Sequence, residues 1–147
     1  MASTAATVSP TVTDIAQSEV SLLRLYVLRA TYLLLVVGLG AMILPVLVNH
    51  EPNARGVIPS LLGGVWLLAF LGLKYPLRML PLLMFEFAWK SLWLLDFGLP
   101  QWLSGQHPPT FAEDLFNISV GVVLMPLVIP WSFVWHYYVK APGDRWR

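Results

Sequence analysis

Residues 75–97, YPLRMLPLLMFEFAWKSLWLLDF, form an apolar stretch long enough to cross a membrane as a helix. Unlike the other hydrophobic stretches of the chain, this one contains an oppositely charged pair, Glu86 and Lys90. The two residues are four positions apart, so on a helix they share one face, one turn apart. An ionised lysine at mid-helix costs about 2.5–3.5 kcal/mol on insertion scales, so each charge needs a partner or a wet cavity. The stretch therefore predicts a membrane-spanning helix with an intramembrane polar site at Glu86 and Lys90.

The composition of the whole chain favours the same class of protein. Of its 147 residues, 57% are hydrophobic and 12% are charged, against about 25% charged residues in an ordinary soluble domain. A soluble domain of this size has too much surface to hide so much apolar material. The absence of cysteine excludes disulfides, thiolate metal sites and a cysteine nucleophile. We therefore expect one all-α integral membrane unit with no separate soluble domain.

Apolar blocks of about membrane-spanning length divide the chain. We predict four transmembrane helices, at about residues 26–48, 57–73, 77–97 and 115–138. They make up a membrane domain of residues 25–138, between a polar tail with an interfacial lead-in (1–24) and a basic cytoplasmic tail (139–147). Because the connections are short, the helices should form a compact up-down bundle. Prolines inside the fourth block predict a kink at Pro126 and Pro130.

Lysine and arginine are distributed unevenly between the two sides of the predicted bundle. One side is poor in them, since it has Arg55 alone. The other side collects Arg24, Arg29, Lys74, Arg78, Lys140, Arg145 and Arg147. By the positive-inside rule, both termini and the connection between the second and third spans are cytoplasmic. The sequence thus predicts a multi-pass protein of the bacterial plasma membrane, with both termini in the cytoplasm.

Small residues in the second span predict a helix contact. Ser60 and Gly64 form a small-xxx-small pair, and Gly63 widens the groove beside them. Such residues let the backbones of two membrane helices approach closely. We therefore assign Ser60, Gly63 and Gly64 a role in helix packing.

His136 is a candidate axial ligand for haem or for chlorophyll magnesium. It lies among aromatic residues that end the fourth span and predict an aromatic belt at the interface, namely Trp131, Phe133, Trp135, Tyr137 and Tyr138. A bis-histidine haem needs two histidines at similar depth, whereas His50 and His107 are predicted on the opposite side. We therefore interpret His136 as an interfacial residue and predict no cofactor.

Acidic residues and histidines outside the membrane could in principle meet as a metal site. The candidates are His50 with Glu51, and His107 with Glu113 and Asp114. Their spacing is not that of a tight ligand set, so we predict no metal. The sequence also lacks a nucleotide-binding glycine loop, a zinc-protease motif and a serine nucleophile motif, and nothing in it supports nucleic-acid binding.

Two classes of function fit these observations. The favoured one is a non-catalytic subunit or assembly factor of a membrane complex, whose partners are the lipid bilayer and another protein or a second copy. The alternative is a small ion- or proton-coupled transporter or channel component that uses Glu86 and Lys90. The pair itself has two interpretations, a site for an ion, proton or ligand, or a self-neutralising pair that fixes helix packing. An enzyme acting on lipid ranks third.

Overall fold

The computed structural model describes residues 20–49 and 56–142. Within these ranges the chain is helical and has no strand, which confirms the all-α class. The helices are α1 (Leu22–Val48), α2 (Val57–Lys74), α3 (residues 80–104), α4 (Phe111–Val128) and α5 (residues 131–140). Most of the predicted N-terminal tail, residues 143–147 of the C-terminal tail, and His50, Glu51 and Arg55 lie outside the described residues.

Three helices, α1, α2 and α4, are long and apolar enough to span a membrane. Large hydrophobic side chains on them point outward; Leu33, Leu67 and Val123, for example, are more than half exposed. An apolar outer surface of this extent is what a lipid environment or a protein partner would cover. α3 is also long, but it carries Glu86, Lys90 and Asp96 and is not among the three.

α1 and α2 are joined by a hydrogen bond at a widened turn. Residues Leu35–Leu39 of α1 form a π-helical turn, and turns of this kind leave a carbonyl without its usual helical donor. The indole Nε1 of Trp66 in α2 donates to the Val36 carbonyl oxygen at 2.8 Å. Gly40 leaves room for the ring, because a methyl group there would lie 2.5 Å from Trp66 Nε1.

The turn between α2 and α3 is held against α1. Tyr32 is completely buried, and its hydroxyl donates to the Pro76 carbonyl oxygen at 3.1 Å. The Tyr32 ring lies against Gly72 of α2, where no side chain would fit. Residues 75–79 therefore pack at the level of the first half of α1.

α3 begins and ends later than the predicted span at residues 77–97. It starts at Leu80 because residues 76–79 form a turn, and Pro81 occupies the first helical turn, where its missing N–H is not needed. It then continues through a π-helical turn, Leu94–Gly98, and through Pro100 to Ser104. The widened turn shifts the hydrogen-bond register just before the proline, so Pro100 does not end the helix. Gly105 ends it instead, with a φ of 68°.

The predicted fourth span, residues 115–138, consists of two helices. α4 runs through Pro126 to Val128, after which Ile129 is extended, with a ψ of 123°. Ile129 precedes Pro130, and a residue in that position avoids the helical conformation. α5 then begins at Trp131. A kink at Pro126 and Pro130 stays a prediction; what the structure has is a break at Ile129.

Two backbone oxygens at this break accept hydrogen bonds from side chains. Pro130 has no N–H to give to the Pro126 carbonyl oxygen, and the indole Nε1 of Trp131 donates to it at 2.9 Å. The Ile129 carbonyl oxygen accepts from Nη2 of Arg24 in α1 at 3.2 Å. The Arg24 bond therefore joins the end of α4 to the start of α1.

The core lies where the helices meet. α1 packs against α2 and α3 packs against α4, with further contacts between α1 and α4 and between α2 and α3. The hydrophobic side chains that are completely buried come from α1, α2, α3 and the break, namely Leu28, Tyr32, Ala69, Leu80, Leu83 and Ile129. Glu86 is also buried, on the same face of α3 as Leu83.

Candidate functional site

Glu86 lies on the buried face of α3 and has 1% of its side chain exposed. Its Oε2 forms an ion pair and hydrogen bond with Nζ of Lys90, one turn further along α3. Its Oε1 accepts a hydrogen bond of 2.9 Å from the indole Nε1 of Trp89. Both carboxylate oxygens are thus occupied by donors from the same helix.

Lys90 connects this pair to the neighbouring helix. Its ammonium lies 4.5 Å from the centroid of the Trp89 ring, within the range of a cation–π interaction. Its methylene groups lie on Gly121 of α4, where a methyl group would stand 2.5 Å from Cδ and 2.7 Å from Cε. The Lys90 side chain is 14% exposed, so the pair is packed between α3 and α4.

This geometry limits what the pair can do chemically. In an apolar environment a paired carboxylate and ammonium attract strongly, and leaving either one unpaired is costly. Taking up a proton would remove the negative charge of Glu86 that holds Lys90, so protonation of Glu86 would weaken the pair. Glu86 and Lys90 also line none of three surface grooves that the described residues form.

The three predicted packing residues of α2 are divided between two surfaces. Gly63 is buried against α1, where a methyl group would lie 3.0 Å from Cδ1 of Leu47. Gly64 faces open space, because a methyl group there would have no atom of the described residues within 4 Å. Ser60, one turn before Gly64, is exposed. Gly63 therefore packs within the chain, while Ser60 and Gly64 face outward from the described helices.

Gly64 lines an apolar groove between α2 and α3. The groove has a volume of about 470 Å³ and is open to the outside. Its walls include Leu61, Val65 and Leu68 from α2, and Pro81, Leu82 and Phe85 from α3. Leu61 and Phe85 are 53% and 42% exposed, so the groove is an uncovered apolar surface.

His136 is exposed on α5. Its Nδ1 lies 2.8 Å from the Ser132 carbonyl oxygen, so Nδ1 carries the proton and donates within its own helix. His107 stacks on Phe111, with 4.6 Å between the ring centroids. In residues 20–49 and 56–142, no three His, Asp or Glu side chains come together in a group that could hold a metal ion.

Two residues of the Glu86 site are not among the residues predicted from the sequence. Trp89 has a sequence signal, because it is three positions from Glu86 and hence on the same helix face. Gly121 has none, since its position opposite Lys90 depends on how α4 packs on α3.

Comparison of the chain with protein families, with curated proteins and with solved structures finds no match.

Proposed function

We propose that this chain is a four-span protein of the bacterial plasma membrane, with α1 to α4 as an up-down bundle and both termini cytoplasmic. The Tyr32–Pro76 hydrogen bond supports this threading, because it joins the first half of α1 to the turn between α2 and α3. The Arg24–Ile129 bond supports it too, because it joins the start of α1 to the end of α4. Lysines and arginines concentrate at that common end, as cytoplasmic connections require. In this proposal α3 also crosses the membrane, in addition to α1, α2 and α4, with its mid-helix charges paired.

Within the membrane, the proposed role is that of a non-catalytic subunit or assembly factor whose partner is a transmembrane helix of another protein. The observation that carries this role is the open groove between α2 and α3. Gly64 and the exposed Ser60 let a helix backbone approach closely. Leu61 and Phe85 supply apolar walls on either side. A helix seated there would complete the packing that the chain's own helices leave open.

The transporter alternative is less well supported by the same site. Transport through Glu86 would need an exchangeable carboxylate with access to water or ions. Both Glu86 oxygens already accept hydrogen bonds, from Trp89 and Lys90, and the side chain is buried. We therefore assign the pair a structural role, holding α3 against α4.

Site-specific photo-crosslinking in native membranes tests the partner helix. A photoreactive amino acid replaces Leu61, which lines the groove, and in the control it replaces Leu67, which is 62% exposed on α2 but does not line the groove. We expect a discrete protein adduct from position 61 and none from position 67. Mass spectrometry should place the linked residue in a membrane-spanning helix of the partner. Adding Gly64→Leu, which fills the groove, should abolish the adduct.

Other outcomes contradict the subunit role. Lipid adducts alone at position 61, or equal protein adducts at both positions, would show that no helix occupies the groove. An adduct of twice the chain's mass would identify a second copy. That result, combined with proton flux in proteoliposomes that Glu86→Gln abolishes, would favour the transporter.

A further inference from the structure

A basic pocket lies where the turn between α2 and α3 meets α1. It has a volume of about 270 Å³. Three cations contribute to its lining, Arg29 from α1, Lys74 from the end of α2, and Arg78 from the turn. All three are exposed, so their charged groups can reach a ligand arriving from the membrane surface.

Two of the three cations of this pocket, Lys74 and Arg78, lie at one aromatic ring, whereas Cζ of Arg29 lies 6.0 Å from the centroid of the Tyr26 ring. Nζ of Lys74 lies 5.3 Å from the centroid of the Tyr75 ring, and Cζ of Arg78 lies 5.9 Å from it. An anion lying between these two cations would offset their mutual repulsion. Cation–π contact with the ring orients both groups but does not neutralise them.

No carboxylate in the described ranges neutralises these cations. Among residues 20–49 and 56–142 the ion pair is Glu86 with Lys90, and Arg29, Lys74 and Arg78 form none. Lys74 also stands in the last turn of α2, where the helix dipole interacts favourably with a cation. Within the described part of the chain, the pocket thus presents three cations that have no ion-pair partner.

The pocket wall is a rigid part of the fold. Pro76 and Leu77 in the turn are buried, and the Tyr32 hydroxyl holds the Pro76 carbonyl oxygen. Leu25 of α1 adds an apolar side. A pocket lined by both cations and apolar side chains matches a molecule that joins a phosphate to a hydrocarbon.

We propose that this pocket binds a phosphate group, supplied by an anionic phospholipid headgroup of the membrane leaflet that this end of the protein faces. Arginine guanidinium groups bind phosphate oxygens through paired N–H donors, and the lysine ammonium adds a point charge. Basic pockets between membrane helices are known to hold anionic headgroups. The proposal is independent of the partner helix at the groove between α2 and α3.

Native mass spectrometry of the full chain in detergent tests the proposal. The protein is titrated with phosphatidylglycerol, with zwitterionic phosphatidylcholine, and with pyrophosphate as a soluble phosphate. The test variant combines Arg29→Gln, Lys74→Gln and Arg78→Gln. A charge-matched control combines Lys140→Gln, Arg145→Gln and Arg147→Gln, which removes three positive charges that the sequence predicts at the same membrane face.

We expect the parent and the control to bind phosphatidylglycerol in preference to phosphatidylcholine. Each substitution that removes a pocket cation should weaken phosphatidylglycerol binding about fivefold. The single variants Arg29→Gln and Arg78→Gln therefore test the proposal even if the triple variant does not fold. Arg78→Lys, which keeps the charge but loses the paired donors, should retain part of the affinity. In another outcome the parent binds pyrophosphate but no phospholipid, and the pocket variants lose the pyrophosphate binding. The pocket would then be a phosphate site, but the assignment of its ligand to a lipid would be overturned.

Equal binding of the two lipids together with no pyrophosphate binding would overturn the proposal. Equal loss of phosphatidylglycerol binding in the pocket and control variants would overturn it as well, because total charge would then explain the binding. Neither result bears on the crosslinks expected at position 61, so the two proposals fail separately.

Discussion

The Lys90 side chain lies directly on Gly121, so that the residue carrying the partly buried positive charge of α3 is also the one that contacts α4. A methyl group at Gly121 would stand 2.5 Å from Cδ of Lys90. The ammonium at the end of that side chain is bound to Glu86. Helix packing and charge neutralisation at this point are therefore one interaction, and a change in either should disturb the other.

Gly121→Ala should destabilise the protein, because the new methyl group displaces a lysine that is fixed at its other end. Overpacking of this kind costs about 1–3 kcal/mol. The measurement is the free energy of unfolding in detergent micelles, followed by circular dichroism. Gly64→Ala is the matched control, since no atom of the described residues outside the backbone of its own helix lies within 4 Å of the added group. Equal stability of the two variants would mean that Lys90 does not occupy the position described.

Tyr32→Phe removes the hydroxyl that holds the turn between α2 and α3. The loss of a buried hydrogen bond typically costs about 0.5–1.5 kcal/mol, and the Pro76 carbonyl oxygen loses this donor. Hydrogen exchange should also be faster at the amides of residues 77–80. Tyr26→Phe is the control, because Tyr26 is 65% exposed and should tolerate the change. Unchanged exchange in Tyr32→Phe would show that other contacts hold the turn.

Trp66→Phe keeps an aromatic ring between α1 and α2 but removes the donor to Val36. Since the widened turn at residues 35–39 leaves that carbonyl oxygen to a side-chain donor, we expect a loss of about 1 kcal/mol. Thermal unfolding in detergent measures it. Trp102→Phe provides the comparison, because Trp102 is 59% exposed and its replacement should have little effect. A variant as stable as the parent would contradict the role given to the Trp66 indole.

Arg24→Met should loosen the junction between α1 and the break at Ile129. A hydrogen bond from a charged donor is worth about 1.5–3 kcal/mol, so the unfolding free energy should fall by that order. Arg24→Lys separates this effect from topology, because it keeps the positive charge but has a different donor geometry. A protease-accessibility assay reports the orientation of each variant in the membrane. If Arg24→Met is inserted in the wrong orientation and Arg24→Lys is not, the positive charge of Arg24 determines topology, and the effect of Arg24→Met is not due to the lost hydrogen bond.

Contacts that follow from position along one helix are predictable from the sequence. Glu86 and Lys90 are four residues apart, and the structure pairs them as that spacing indicates. The helical class and three apolar spans also follow from composition and length. The pair follows from the spacing of residues along one helix, and the spans follow from the long apolar stretches that a membrane requires. A single sequence shows both patterns.

The remaining contacts depend on neighbours that the sequence does not identify. Pro100 lies beyond the third span predicted from the sequence, but a π-helical turn before it lets α3 continue to Ser104. Arg24 enters the sequence prediction only as a topological charge, whereas its guanidinium binds the Ile129 carbonyl oxygen 105 residues away. Gly63 and Gly64 look equivalent in the sequence, and only the position of Leu47 distinguishes the packed glycine from the open one.

The structural role of the ion pair is tested most directly by a double-mutant cycle on Glu86 and Lys90, with the free energy of unfolding measured for all four proteins. Breaking a buried pair by removing one partner costs about 3–5 kcal/mol, whereas replacing both partners can be nearly neutral. We therefore predict that Glu86→Gln and Lys90→Met each destabilise the protein more than the two substitutions do together. A double variant whose loss equals the sum of the two single losses would contradict the account, because Glu86 and Lys90 would then act independently of each other.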